Sequence, residues 1–221
     1  RFGRHYENLK DEVVDIIKDE PEILEGFEEK YQNRFKFLEG YQNLKYAEKF
    51  EDLVSYARKI DKNIGNGSQF SIAVLKNYFK LMAYKDEYEV SRLMTNKKFV
   101  DDINKNFEGD FDYNFYLAPP IFSKKSKVDG KLLKIKFGGW LFNVFEILSK
   151  FKFLRGTKLD PFGYLNERKK ERELIRDYKQ IITDIGTKIN KSNYETAVKI
   201  ASIPDQIRGF GHVKEKNIKE A

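Results

Sequence analysis

A chain of 221 residues with 40% hydrophobic and 15% aromatic side chains can bury a core in one substantial domain or two small ones, which argues against disorder. It has no Cys, which excludes disulfides, thiolate metal sites and Cys-ligated iron–sulfur clusters within it. No apolar run approaches the roughly 20 residues that cross a bilayer, and the formal charge is +7.

The charge is unevenly placed. Ten Lys/Arg stand against Asp129 and Glu146 between Ser123 and Lys158, whereas residues 1–60 carry fourteen Asp/Glu against eleven Lys/Arg. A basic segment of this kind can attract nucleic acid or an acidic protein; a Lys-rich solvated surface is the plainer explanation. The first residues are charged and lack the apolar core of a signal peptide. With the missing Cys, this gives an expectation of a cytoplasmic protein. The start at Arg1 rather than Met gives an expectation of a piece of something longer or of a processed product.

Tyr6, Leu9, Val13, Ile16 and Ile17 repeat at helical spacing, predicting a helix over His5–Lys18. Ile23, Phe27, Tyr31, Phe35 and Leu38 predict a second helix, ended by Gly40. Ala47, Phe50, Val54, Ala57 and Ile60 predict a third, and Asp61–Ser68 reads as a loop. A fourth helix is expected from about Ser71, read as its cap, to Met94, with Ile72, Leu75, Tyr78, Phe79 and Met82 inward and Lys85 paired to Glu89. Phe99, Ile103 and Phe107 mark a short fifth helix.

The period then changes to two. Phe111, Tyr113, Phe115 and Leu117 alternate with smaller or polar residues, as do Leu133, Ile135 and Phe137 with Lys134 and Lys136. With Asp129-Gly130 as a tight-turn dipeptide, this predicts a β-hairpin over about 111–137 with a basic open face. Trp140, Leu141, Val144, Phe145, Leu148 and Phe151 form the most apolar helix, expected at the centre of the core. A Gly- and Pro-bearing loop over 155–163 leads into a long helix with Leu174, Tyr178, Ile181, Ile182, Ile185 and Ile189 on one side. On that helix Arg168, Arg172 and Arg176 share a face, beside a row holding Glu167 and Glu171. Ser192 and Glu195 have capping-box spacing for a last helix, which Pro204 interrupts. The fold expected is mainly α, a helical domain with one inserted hairpin. Residues 1–45 are expected to form an N-terminal helical segment, the tail of a preceding domain, and residues 46–221 the module itself.

No complete catalytic constellation emerges. His5 and His212 are far apart without His or Cys neighbours, which is a poor basis for a zinc site. Gly65-Asn66-Gly67 and Gly209-Phe210-Gly211 lack the remaining parts of a phosphate loop. Adjacent carboxylates such as Asp86-Glu87 point apart on a helix. The sharper expectation is a buried polar network built from Asp86, Glu87, Arg155, Asp160, Arg172, Arg208 and His212, because buried charges must be paired. It would knit together the fourth helix, the 155–163 loop and the turn over 204–212. The competing reading, a solvated charged face, is strongest for Arg172.

Four of these segments also carry a resemblance. AYKDEYEVSRL (83–93), FYLAPPIF (115–122), LRGTKLDPFGY (154–164) with NERKKER after it, and IPDQIRGFGHVKE (203–215) resemble the C-terminal region of the large fused indolepyruvate ferredoxin oxidoreductases, members of the 2-oxoacid:ferredoxin oxidoreductase family. The match runs in order from about Tyr46 to the end. The resemblance implies a parent enzyme that oxidatively decarboxylates aryl pyruvates with coenzyme A and passes electrons to ferredoxin. Thiamine diphosphate, magnesium and iron–sulfur clusters would sit elsewhere in that parent, and no catalytic, cofactor or metal residue is carried onto this chain. Its partners would be other domains or subunits of the parent, with Lys131, Lys134 and Lys136 as a docking edge for acidic ferredoxin. The rival reading is an independent basic nucleic-acid-binding helical protein, although the sequence carries no recognised nucleic-acid module. An effector site at the 155–163 loop is a third reading.

Overall fold

Apolar stripes from five helices close on one another around a central one. The computed structural model describes residues 26–106, 112, 114–117, 133–209, 214, 217 and 218. Helix α1 (Phe27–Tyr41) buries Tyr31, Leu38 and Tyr41, and α2 (Leu44–Ile64) buries Ala47, Phe50, Leu53, Val54, Ala57 and Ile60 at 3–4 spacing. Helix α3 (Gln69–Met82) is the centre. It buries Phe70, Ala73, Val74, Leu75, Tyr78, Leu81 and Met82, too wide an arc for a helix with one wet face. The later helices α7 (Asn166–Gly186) and α8 (Tyr194–Ala201), with the 3-10 turn Ile203–Gln206, close the other side.

Stacked rings tie four of these helices together. Tyr31 lies on Phe50 at 6.1 Å, Phe50 on Tyr78 at 6.3 Å, and Tyr78 on Tyr178 at 5.9 Å, with planes 13–19° apart. Offset stacking of this kind adds to the burial of four large side chains. One buried carboxylate serves the same core: Asp61 accepts from the Tyr194 hydroxyl (2.7 Å) and the Ser71 N–H (2.8 Å), while the Tyr194 oxygen accepts from the Phe70 N–H. Two N–H groups at the start of α3 are thereby satisfied from α2 and α8.

A second layer covers one flank. Helix α4 (Glu87–Met94) packs on α6 (Leu141–Lys150), with α5 (Lys97–Asn106) beside α4. Strands β1 (Phe115–Leu117) and β2 (Ile135–Phe137) pair antiparallel in the register Phe115–Phe137, Tyr116–Lys136, Leu117–Ile135. Phe115 meets Phe145 edge-on at 5.3 Å, which seats the hairpin on α6. The 3-10 turn Phe151–Leu154 continues α6 into the loop over 155–165. Among the described residues the fold is mainly α with one small hairpin.

Several expectations need correction. The predicted loop over 61–68 is shorter, because α2 runs to Ile64 and ends on Gly65 in the left-handed conformation (φ +68°), which glycine adopts without a Cβ clash. Gly40 lies inside the last turn of α1. The single helix over 71–94 is two helices: α3 stops at Met82, and Asp86 in extended conformation caps α4 by accepting from the Glu89 N–H. The expected Lys85–Glu89 pair gives way to a Glu89–Arg92 fork at 2.7 and 2.8 Å. Ile72 faces outward, and Ser71 lies inside α3 after the cap residue Ser68. Asn193, not Ser192, precedes α8, and the Ser192 hydroxyl bonds Asn190 instead. Helix α6 is peripheral: it buries Leu141 and Phe145 but leaves Trp140, Val144, Ile147 and Phe151 exposed. Helix α1 shares its core with α2 and α3. The helix expected over 5–18, the Asp129-Gly130 turn and residues Phe107, Phe111 and Tyr113 lie outside the described residues.

Candidate functional site

The loop over 155–165 is where chemistry-bearing side chains gather. Gly156 takes φ +75°, a conformation open to glycine, and lets the chain double back on Asp160. The Asp160 carboxylate, 3% exposed, accepts from the Gly156 N–H (2.8 Å), the Phe162 N–H (3.1 Å) and the Tyr88 hydroxyl (3.1 Å). Gly163 must be glycine for a different reason. A Cβ there would stand 2.7 Å from Asp160 Oδ2. Tyr88 also meets Phe162 edge-on at 5.3 Å, so α4 holds the loop by a ring and a hydroxyl together.

Arg155 enters the same junction from the other side. Its Nε and Nη2 fork onto Asp86, the second bond measuring 2.8 Å, and its Nη1 donates to the Tyr41 carbonyl. The guanidinium also lies over the Tyr41 ring, 3.6 Å from its centroid. Both partners are almost closed to water, Arg155 at 4% and Asp86 at 3% exposure. Burial alone would lower the Arg155 pKa. The hydrogen bonds and charge of Asp86, with Tyr41 beside them, outweigh burial and leave it above the ordinary arginine value. Burial pushes the Tyr41 hydroxyl far up, with the Asp86 charge adding to the shift. Burial raises Tyr88 too, reinforced by Asp160.

Two further pairs lie alongside. Arg168 donates to Glu87 at 3.3 Å, and Glu171 accepts from Lys214 at 2.6 and 2.8 Å. Arg172 is half-buried rather than fully solvated: its Nη2 donates to the Gly163 carbonyl, and its Nη1 is buried without a hydrogen-bond partner.

Of the residues singled out in the sequence, Asp86, Glu87, Arg155, Asp160 and Arg172 therefore come together. Arg208 does not. It is exposed; its Nε donates to the Asp205 carbonyl in its own turn, and its carbonyl accepts from the Asn217 side-chain amide (2.8 Å). That turn is anchored on α3 instead, where the Lys80 ammonium donates to the carbonyls of Pro204 (2.7 Å) and Asp205 (3.3 Å). His5, His212 and Lys131 lie outside the described residues, while Lys134 and Lys136 are exposed. Tyr41, Tyr88, Glu89, Arg92, Arg168 and Glu171 are members that the sequence reading left out of the network. For Tyr88 one signal was available: an aromatic in the middle of a charged stretch needs something to pack on.

The two carboxylates at the centre of this junction are both engaged. The fork, the rings of Tyr41, Tyr88 and Phe162 and the three donors on Asp160 engage both carboxylates and fix both backbones. A guanidinium that cannot deprotonate, locked to a buried carboxylate, is a brace and a poor proton carrier. Among the described residues no group of three or more His, Cys, Asp or Glu is placed to hold a metal ion, and no described helix is long and apolar enough to cross a membrane.

A family model covers residues 27–221, described as a family of unknown function, DUF6537. The chain belongs to the DUF6537 family. Its match begins with α1, so this family unit includes the helix that shares the core with α2 and α3. No curated protein and no solved structure matches the DUF6537 chain.

Proposed function

We propose that this chain is a non-catalytic structural and docking module of a cytoplasmic indolepyruvate ferredoxin oxidoreductase-like enzyme, whose other domains would oxidatively decarboxylate aryl pyruvates with coenzyme A and ferredoxin. The observation that carries the reading is the junction of Asp86 with Arg155 and of Tyr88 with Asp160. Those residues belong to two of the segments that resemble the oxidoreductases, AYKDEYEVSRL and LRGTKLDPFGY. Their distinctive residues serve each other. In this reading the resemblance lies in a brace that keeps α4, the loop and α7 in one arrangement, and the chemistry lies in other domains.

The test is an assay of the complete polypeptide that carries this chain, isolated from its source. The expected result is coenzyme A-dependent reduction of ferredoxin by indolepyruvate, lost when Asp86→Ala destabilises the module and regained in the Asp86→Asn variant where folding recovers. Turnover by residues 27–221 alone would overturn the non-catalytic part of the reading. A complete polypeptide without thiamine diphosphate or iron–sulfur clusters would overturn the family part.

A further inference from the structure

The polar junction leaves the opposite side of α6 unaccounted for. Trp140, Val144, Ile147 and Phe151 are spaced 4, 3 and 4 residues apart, so they form one continuous row along that helix. All four are exposed, Trp140 to 60% and Ile147 to 59%. The row is extended at both ends by ring contacts, Phe137 with Trp140 at 6.1 Å and Phe151 with the exposed Phe153 at 6.0 Å. Single exposed apolar residues are ordinary; a contiguous row of this length marks an interaction surface.

The surroundings of the row indicate what would cover it. Lys134 and Lys136 stand at the hairpin end, Lys150 on the helix itself and Lys158 beyond the 3-10 turn, all exposed. Glu146 is the sole acidic residue between positions 133 and 159. Arg155 is turned inward onto Asp86, and Lys152 donates to the Gly40 carbonyl, so neither adds to that exposed basic set. An apolar row in a stretch that carries four exposed lysines and one acidic residue fits a partner surface with an apolar centre and carboxylates around it. A second copy of this chain would set the same lysines against each other.

We infer that the outer face of α6 and the following 3-10 turn, Trp140, Val144, Ile147, Phe151 and Phe153, together with the exposed Lys134, Lys136, Lys150 and Lys158 of the same stretch, docks an acidic protein domain. This deepens the docking role proposed above and rests on it, although the surface is separate from the braced junction. The apolar row supplies the contact area, and the lysines set approach and register.

The experiment uses the protein in its native assembly. A zero-length carbodiimide cross-linker joins lysine ammonium groups to carboxylates in direct contact, and mass spectrometry reads the joined peptides. The expected result is bonds from Lys134, Lys136, Lys150 or Lys158 to Asp or Glu of another domain or subunit. Hydroxyl-radical labelling of Trp140, Phe151 and Phe153 should be low in that assembly. It should rise in the Lys134→Glu/Lys136→Glu/Lys150→Glu/Lys158→Glu variant, while exposed Leu44 and Ile72 stay constant. That variant should weaken association roughly ten-fold or more with an unchanged melting temperature; Trp140→Ser/Ile147→Ser should do the same without changing charge. Bonds to a second copy of the chain, bonds to its own acidic residues 1–25, or a row labelled equally in both forms would overturn the inference. Bonds to an acidic partner that holds neither thiamine diphosphate nor iron–sulfur clusters would support this surface and end the oxidoreductase reading.

Discussion

Helix α7 passes through two environments that solve the same problem differently. One face of it points inward along its whole length. In the first half that face presents Arg168 and Glu171, and in the second half Tyr178 and Ile182. The second half joins the ladder of Tyr31, Phe50, Tyr78 and Tyr178, where the gain comes from removing apolar area from water. The first half lies against the junction of α4 with the loop, where charges are hidden and must find partners. Apolar packing tolerates many neighbours; an ion pair tolerates one. The core therefore sets stability, while the junction sets which segments meet, a division of labour attested for buried polar groups in some proteins.

The largest effects should come from breaking each region at its centre. Phe50→Ala is expected to cost about 3–5 kcal/mol in chemical denaturation, since it removes a fully buried ring from the middle of the ladder. Asp86→Ala is expected to cost a similar amount, about 3–5 kcal/mol, by stranding the Arg155 guanidinium in a closed site and removing the cap of α4. The two should differ in what rescues them. Adding Arg155→Leu to Asp86→Leu should recover part of the loss, because no unpaired charge then remains buried. No second substitution at a ladder position should rescue Phe50→Ala. If Asp86→Ala left stability unchanged, the junction would be decorative.

Asp160→Ala should fall below these, at about 1–3 kcal/mol for orphaning the Tyr88 hydroxyl and two loop N–H groups. Hydrogen exchange would separate it from a core defect. Amides at Gly156 and Phe162 should lose protection while those of α2 and α3 keep theirs.

High pH sharpens the comparison further, because each region holds a buried tyrosine whose pKa rises to about 12. For Tyr78, burial is the main cause, with Asp52 assisting; for Tyr84, burial again leads and the Asp86 charge assists. A folded pKa above the unfolded value of about 10 means the fold favours the neutral phenol. That contribution is complete below about pH 10 and is lost as pH rises through about 12. Spectroscopic titration should show phenolate forming at higher pH in the folded chain than in the unfolded one. Asp86→Asn should bring the Tyr84 transition down and leave that of Tyr78 in place. Equal movement of both would mean that the substitution had loosened the whole fold.

The sequence disclosed the core better than the junction, for reasons visible in particular residues. Phe50, Val54, Ala57 and Ile60 announce their buried face through spacing alone, because burial of a stripe is a local, periodic signal. The end of α3 at Met82 is not local. Helix-compatible residues continue through Ala83, Tyr84 and Lys85, and the break depends on Asp86 capping α4 while gripping Arg155 from 69 positions away. Asp86, Arg155 and Asp160 could be suspected because charge beside rings and glycines is unusual, but their pairing could not be deduced. Arg208 was drawn in by the same reasoning and stands in solvent. The misplacement of α6 has a simpler cause. Hydrophobicity reports what a helix would bury, and gives no information on whether the covering surface belongs to the same chain.

The smallest predicted effect follows from that point. Ile147→Ser lies on the exposed row of α6, while Phe145→Ala lies on the buried face of the same helix, two residues earlier. The Phe145 change should cost about 3–5 kcal/mol if its contact with Phe115 is rigid, or less if the hairpin can collapse onto the gap. The Ile147 change should stay within about 0.5 kcal/mol, because a side chain already in water loses little when shortened and made polar. Denaturation of both variants side by side measures the difference directly. An Ile147→Ser loss as large as that of Phe145→Ala would mean that residues of this chain already cover the row, and α6 would then belong to the core that its composition suggested.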